Sequence, residues 1–384
     1  MAVNLDTNLD PRVKKNFKSG PTEELNLISK NEYRLVLSKL LTKECFVPDI
    51  KHVFHYLFLM AIYLVGIFSI VNVSFLPLKI IISVVMGISL AGLTFFLHDL
   101  FHGSIIKSKP IAYVVGLSIG LFNLFAQLFW QRVHNFHHAR TGNIDDPDRS
   151  YIATETPVTL LGKFGYRTRV SDEAFHPIIS LLLMSTGFFW YFSNTMFYGL
   201  VAKKFSVKED KKYQRVQELF KNPKHRLIVV GELILIVSFQ LFLFEFVANN
   251  NFLNYFLLSL LPVGISHCIA MAYIHTNHFL SPLTGEIDDP LVNSLSLKNS
   301  WFIDKIFSNF SHHVEHHLFP AMGSFHYPKV RKLLLKLYPD RYKLIPMIDA
   351  IKMLCTTPRI YGDYTHLVNS KGTKKVDCLL PMSS

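Results

Sequence analysis

The sequence predicts an all-α integral membrane protein, and its composition supports this fold class in three ways. Half of the 384 residues are hydrophobic, 33 residues are Phe and only 18% are charged. Mean hydropathy is positive. Such a composition is typical of chains that cross a bilayer several times, and it disfavours a pair of soluble domains.

Six apolar segments have about the ~20 residues that a helix needs to cross a bilayer. They occupy residues 53–73, 80–97, 111–130, 177–201, 227–247 and 253–274. The links after the first and fifth segments are short and hold at most one charge, whereas residues 203–226 hold nine Lys and Arg against three Asp and Glu. Because basic residues near spans mark the cytosolic side of a membrane, residues 203–226 are predicted to be cytosolic.

A topology with four transmembrane helices follows if the first two and the last two segments form two hairpins. The middle two segments then form interfacial or re-entrant helices, as their Phe, Trp and Tyr residues permit. Residues 1–52, 98–226 and 275–384 would then all face the cytosol, and a cytosolic helical cap would carry the histidine motifs described below. Six full crossings are the alternative, and they would place residues 131–176 on the opposite face.

Three regions are expected along the chain. Residues 1–52 are polar and lack the basic and apolar regions of a cleaved signal peptide, so we expect a cytosolic N-terminal leader. Residues 53–370 form the membrane domain, and residues 371–384 form a flexible C-terminal tail. The four cysteines are widely spaced and support neither a disulfide framework nor a zinc ribbon.

Eight histidines form three short motifs, HDLFH, HNFHH and HVEHH, which we call boxes one, two and three. Their histidines are His98, His102, His134, His137, His138, His313, His316 and His317. Spacings of three and four residues place side chains on one face of a helix, about one turn apart. Imidazoles in this arrangement can converge on a metal, since neutral imidazole is the commonest metal ligand. A surface or helix-capping role is the alternative for any single histidine.

The number and type of these ligands predict a dinuclear metal site. Imidazole suits Fe, Cu or Zn better than Mg or Ca, which prefer oxygen. Eight ligands exceed the needs of one ion, and two ions would receive about four nitrogens each. A redox-active metal with a position open to O2 could attack an inert C–H bond, whereas a zinc pair would indicate hydrolysis because zinc has no redox chemistry.

Further candidates lie beside the boxes. His275 and His278 are three residues apart in YIHTNHF, and we favour His278 over His275 as a ninth ligand. Ligating imidazoles usually donate their other N–H to a carboxylate or a carbonyl. The candidates for supporting positions around the ligands are Asp99, Asp145, Asp146, His275, His312 and Glu315.

The stretches HDLFHGS, HNFHHARTG with a following DDPD, and HHVEHHLFP resemble the three histidine boxes of the membrane fatty acid desaturase superfamily, which includes related hydroxylases. The resemblance covers about residues 50–340. It implies two iron ions as the cofactor, O2 as the oxidant and a cis double bond in a long acyl chain as the product. The eight box histidines match one for one, and His278 lies where the family places an additional ligand.

Departures from the family pattern indicate a subtype. The three residues between His98 and His102 resemble the spacing of acyl-lipid desaturases more than that of the acyl-CoA class, which has four. Box three begins with His rather than Gln and no HPGG haem motif is present, so we do not expect a fused cytochrome b5. The resemblance therefore implies reduced ferredoxin or cytochrome b5 as an external electron donor.

We expect a multi-pass protein of a bacterial inner membrane or the endoplasmic reticulum, with its active site on the cytosolic face. Its partners would be the acyl substrate, the electron donor and membrane lipids, not nucleic acid. A diiron hydroxylase of a lipid, an alkane or a carotenoid is the alternative within this chemistry. A zinc membrane hydrolase or a metal transporter is the alternative from another class, although transporters usually place ionisable groups deep within several helices.

Overall fold

The protein is mostly helical in its computed structural model, which confirms the fold class predicted from the sequence. The structure describes residues 25–48, 51–144, 146, 160–174, 176, 178–180, 182–186, 196, 200 and 211–381. The helices of this part of the chain are α1 (Lys30–Leu37), α2 (Lys51–Asn72), α3 (Leu76–Phe101), α4 (Lys109–Asn123), α5 (Gln127–Arg140), α6 (Leu160–Thr168), α7 (Lys211–Leu219), α8 (Pro223–Val247), α9 (Phe252–His278), α10 (Pro290–Asn293), α11 (Trp301–Ile306), α12 (His313–Leu318), α13 (Tyr327–Leu337) and α14 (Met347–Thr356), with 3-10 turns at Lys43–Phe46 and Ser324–His326.

Helices α2, α3, α8 and α9 are long and apolar enough to cross a membrane, so the protein is a multi-pass membrane protein. They correspond to the four segments predicted to form two hairpins, since only residues 73–75 join α2 to α3 and only residues 248–251 join α8 to α9. Large apolar side chains on α2 and α8 are exposed, Phe54 and Ile234 among them, as expected for faces that meet lipid. Helix α3 is the most buried of the four and packs along both α2 and α9.

Small residues hold α3 close to its neighbours. A Cβ atom on Gly87 would lie 2.6 Å from Ile265 of α9, and one on Gly92 would lie 2.7 Å from Leu59 of α2. Ser89 also donates a hydrogen bond of 2.6 Å to the carbonyl of Leu59. Close backbone approach and a hydrogen bond between helices stabilise packing where no water is available. The end of α3, which carries box one, is therefore held in a fixed position.

Helices α4 and α5 form a bent pair that corresponds to the third predicted segment. They meet at 105° after Leu124, whose left-handed φ of 61° ends α4. Glu232 of α8 accepts hydrogen bonds at the bend from the backbone N–H of Leu128 (3.1 Å) and the hydroxyl of Tyr113 (2.8 Å). This intramembrane carboxylate therefore satisfies the start of α5 and fixes its direction. The fourth predicted segment, residues 177–201, lies largely outside the described residues.

Helices α1 and α10 to α14 form a cap over the ends of α3, α5 and α9. Among the described residues, five short strands that were not predicted stabilise this cap. Strand β1 (Ser296–Lys298) pairs in parallel with β2 (Leu344–Pro346), and β3 (Ile360–Tyr361), β4 (His366–Val368) and β5 (Lys375–Asp377) form an antiparallel sheet. Strand β5 lies within residues 371–384, the segment expected to be a flexible tail. Helix α1, from the expected leader, reaches box two because Lys30 Nζ donates to the carbonyl of His138 at 2.7 Å.

Candidate metal centre

The histidine boxes lie at helix ends beneath the cap. Box one ends α3, with His98 in its last turn and His102 as its C-cap. Box two occupies the last turns of α5, box three forms α12, and His278 is the last residue of α9. Four separate helices therefore direct imidazoles into one region of the protein.

Five imidazoles form a first group, cluster one, whose ring nitrogens lie within 4.8 Å of one another. The members of cluster one are His98, His102, His134, His138 and His316. Nε2 of His138 lies 3.0 Å from Nε2 of His134 and 3.0 Å from Nε2 of His316. All but His102 are buried, so the nitrogens face one another in a space closed to bulk water.

Four imidazoles form a second group, cluster two, directly beside the first. His137, His278 and His317 have ring nitrogens within 4.8 Å of one another. His313 joins them, since its Nε2 lies 2.7 Å from Nε2 of His278 and 3.0 Å from Nε2 of His317. The ring centroids of His317 and His138 are 4.4 Å apart, so the two clusters are neighbours.

The two clusters divide the members of boxes two and three by their spacing. Residues four apart share a cluster, as His134 does with His138 and His313 with His317, because they stack one turn apart on the same helix face. The residue between them joins the other cluster: His137 joins cluster two and His316 joins cluster one. An HxxHH motif on a helix can therefore serve two neighbouring metal sites.

The donor set of both clusters fits metal ions. Imidazole nitrogens that bind one ion at about 2.1 Å lie roughly 3 Å apart, close to the Nε2 separations seen here. Nε2 of His102 is buried and has no hydrogen-bond partner among the described residues, as expected for a lone pair reserved for a metal. Burial and the neighbouring imidazoles hold the pKa of His316 and of His317 well below the usual value, so both rings stay neutral and can ligate.

The outward Nδ1 atoms of these rings contact fixed polar groups. Nδ1 of His137 lies 2.6 Å from a carboxylate oxygen of Asp146, and Nδ1 of His98 lies 3.2 Å from Asp99. Such partners set the tautomer and the direction of a ligating ring. Both carboxylates were among the candidates proposed from the sequence. Asp145, the candidate directly before Asp146, lies outside the described residues.

Three further Nδ1 partners were not predicted. The Tyr327 hydroxyl lies 2.9 Å from Nδ1 of His316, the Thr141 hydroxyl lies 3.3 Å from Nδ1 of His317, and the Ser294 hydroxyl lies 3.3 Å from Nδ1 of His278. Tyr327 and Ser294 lie on other segments, so no local spacing points to them. Thr141 follows His137 by four residues, yet its hydroxyl contacts an imidazole of box three.

The other candidate residues lie near the clusters but outside them. The His275 ring packs on Phe279, and the His312 ring contacts the Ser311 hydroxyl at 3.1 Å. Glu315 accepts hydrogen bonds from Ser296 (2.6 Å), Tyr342 (2.6 Å) and Arg331 (2.8 Å), and none of these partners is an imidazole. Arg331 is the main group that lowers the pKa of Glu315, against the opposing effect of its burial. Glu315 therefore fixes α12 against α13 and β1.

Comparisons with known proteins agree with this geometry. A family model described as "Fatty acid desaturase" matches residues 74–348, which contain all nine histidines of the two clusters. A "Fatty acid desaturase" of Bacillus subtilis (strain 168) is 23% identical over 255 residues, which are 66% of this chain and 67% of that protein.

Proposed function

The chain belongs to the fatty acid desaturase family, and from that membership we propose that it is a diiron enzyme that introduces a cis double bond into a long acyl chain. As a member of this family the protein is an oxidoreductase. The observation that carries the finer proposal is the pair of adjacent imidazole clusters at the ends of the membrane spans.

We assign the nine clustered histidines as the metal ligands. Cluster one would hold one iron and cluster two the other, because imidazole suits iron and each cluster offers at least four nitrogens. Bound there, two irons would supply the activation of O2 that breaks the C–H bonds of unactivated methylenes. The chain itself holds the ligands, fixes their ring directions through groups such as Asp146 and Tyr327, and excludes bulk water by burial.

The proposed reaction balances with an external reductant. Two hydrogens leave adjacent methylenes of the acyl chain, which becomes an alkene, and O2 is reduced to two waters. The substrate supplies two of the four electrons, and reduced ferredoxin or cytochrome b5 supplies the other two. Two protons come from the solvent.

A cavity of about 670 Å³ beside α9 is the proposed site for the acyl chain, and its volume lies in the usual range for small-molecule sites. Its walls are mostly apolar, and Lys298, Asn299 and Ser300 add polar groups. The Tyr273 ring in its wall lies 5.7 Å, centroid to centroid, from the Phe310 ring. The Phe307 ring in the same wall packs against Phe95, which in turn stacks on Phe310.

Phe310 connects the cavity to the metal centre. Its ring centroid lies 4.9 Å from that of His98 in cluster one and 5.4 Å from that of His313 in cluster two. One aromatic layer therefore separates the proposed acyl site from both clusters. The aromatic layer would have to open for the methylenes of the chain to reach the metals, while the head group stays at the polar side chains of the cavity.

We further propose that the centre faces the cytosol and that the substrate is an acyl lipid. Arg132 of α5 contacts the carbonyl of Leu219 (2.8 Å) and the ring of His225 (3.0 Å), so box two lies at the basic start of α8. Basic residues beside spans mark the cytosolic side. The spacing of box one supports the acyl-lipid subtype.

Membranes that contain the expressed protein test this function. They are incubated with deuterium-labelled fatty acids or labelled phospholipids, a reductant, ferredoxin or cytochrome b5, and O2, and the lipids are analysed by mass spectrometry. We expect a product that has lost two hydrogens, formed only when O2 and the reductant are both present.

Two other results would contradict the proposal. A product heavier by one oxygen would show a hydroxylase instead. Purified protein that contains zinc but no iron after growth in iron-replete medium would exclude both O2-dependent reactions, because zinc has no redox chemistry.

A further inference from the structure

Arg359 is a buried cation that makes no hydrogen bond to any residue that the structure describes. It lies between α14 and β3 and is only 1% exposed. Its Nε, Nη1 and Nη2 atoms are all buried, and none has a hydrogen-bond partner among the described residues. A guanidinium carries five N–H donors, and burying them unsatisfied is much less favourable than leaving them in water.

The surroundings of Arg359 make its charge harder to accommodate. Its guanidinium carbon lies 3.8 Å from the centroid of the Phe279 ring, a cation–π contact that offers no oxygen acceptor. Burial, and then repulsion by Arg169, lower the pKa of Arg359 to about 9. The side chain therefore stays protonated at neutral pH beside a second cation.

The hydroxyls of two tyrosines that influence the charge of Arg359 are hydrogen-bonded to other groups. The Tyr361 hydroxyl donates to the carbonyl of Ser281 at 2.9 Å, and the Tyr166 hydroxyl donates to Glu173. Asp172 pairs through Oδ2 with Lys374 at 3.0 Å, and its buried Oδ1 has no hydrogen-bond partner among the described residues, the Arg359 guanidinium included. None of these groups forms a hydrogen bond with the guanidinium. Tyr166 and Tyr361 act on it only through their charge, which opposes the lowering of the Arg359 pKa.

We propose that Arg359 is the binding site of an oxyanion, either a phosphate or a carboxylate. Two neighbouring oxygens of a phosphate or a carboxylate match the planar fork of N–H donors on a guanidinium, which forms its strongest hydrogen bonds with such anions. Because Arg359 is closed to solvent, the occupant is enclosed by protein, which favours a small anionic group over a bulky one.

The position of Arg359 relates this site to the metal centre. Phe279 directly follows His278 of cluster two, and the His275 ring packs on Phe279 with centroids 4.6 Å apart. The anion can be a free phosphate or the charged group of a second acyl molecule, distinct from the substrate whose head group is assigned to Lys298, Asn299 and Ser300. The second source rests on the proposed function.

Thermal unfolding of the purified full chain in dodecyl maltoside tests the site. The probes are inorganic phosphate and, separately, mixed micelles with dodecyl phosphate or laurate, with dodecanol as the probe without a charged head group and ionic strength held constant. We expect a saturable rise in Tm of roughly 5 °C at saturating probe, because a ligand that binds only the folded state stabilises it. A response to phosphate indicates a free anion, and a response to the charged amphiphiles alone indicates a head group.

Arg359→Met is the informative variant, and Lys352→Met on α14 is its matched control because Lys352 is exposed. Arg359→Met keeps the packing on Phe279 without the charge, so in chloride buffer it should be as stable as the wild type or more stable, and it should lose the probe response. Lys352→Met should keep the full response. His138→Ala, which removes a proposed iron ligand, should also keep it, so failure of the desaturase assay leaves this result intact.

Two outcomes would overturn the proposal. One is a wild-type Tm that no probe raises above the dodecanol control. The other is a strong loss of stability in Arg359→Met in chloride buffer, since that would mean that a carboxylate of the chain itself pairs with the guanidinium.

Discussion

The two histidine clusters are built from the same motifs but are completed differently. Cluster one takes two pairs of residues four apart, one from box one and one from box two, and adds His316, which gives five imidazoles. Cluster two takes one such pair from box three, adds His137, and reaches four imidazoles only with His278 from the end of α9. The boxes alone therefore complete one cluster, and the second depends on a residue that no box contains.

The largest effect is expected when cluster two loses His278. His278→Ala leaves three imidazoles, so we expect activity at background and a fall from about two irons per chain to about one. Iron is measured by mass spectrometry and activity by product formation. His275→Ala is the matched control and should keep both irons, and a normal iron content in His278→Ala would contradict the assignment of this ligand.

The loss of one ligand should lower the iron content of cluster one less than that of cluster two. His102→Ala leaves four imidazoles, so we expect activity to fall strongly while most of the iron stays bound. The same two measurements apply, with His176→Ala as a control because His176 is exposed and lies outside both clusters. Equal iron loss in His102→Ala and His278→Ala would show that the clusters do not differ as the ligand counts predict.

Substitutions of the groups that contact the outward Nδ1 atoms should weaken iron binding less, and the loss of a charged partner should weaken it more than the loss of a neutral one. Asp146→Asn removes a carboxylate 2.6 Å from His137 and should weaken iron binding by about 100-fold, whereas Tyr327→Phe removes a neutral hydroxyl 2.9 Å from His316 and should weaken it by about 10-fold. Chelator competition followed by iron analysis measures both. The reverse order would show that hydroxyl geometry matters more than carboxylate charge.

Substitutions in the cavity that Phe310 separates from both clusters should have the smallest effect on the metals. Ile269→Trp partly fills this cavity, so KM for a long acyl chain should rise about tenfold while iron content stays normal. Steady-state kinetics with substrates of different chain length measure the change. Ile234→Trp, on an exposed face of α8, is the control, and equal KM values for the two variants would remove this cavity from the acyl pathway.

Properties that depend on local sequence were predicted well. The spans follow from runs of apolar residues, and the ends of α2, α3, α8 and α9 lie within a few residues of the predicted ones. Residues four apart share a helix face, so the pairing of His98 with His102 could be read from spacing. The sequence did not predict that box members three apart would separate between two clusters, because that depends on where the other helices end.

The sequence by itself determined a multi-pass helical protein with a set of imidazoles suited to metal, since hydropathy and helical spacing are local properties. Only the tertiary structure decided which imidazoles share a cluster, that Tyr327 and Ser294 support them, and that Arg359 is buried beside Phe279. The physical reason is that each of these contacts joins segments brought together by the packing of spans and cap. No periodicity within one segment records that packing.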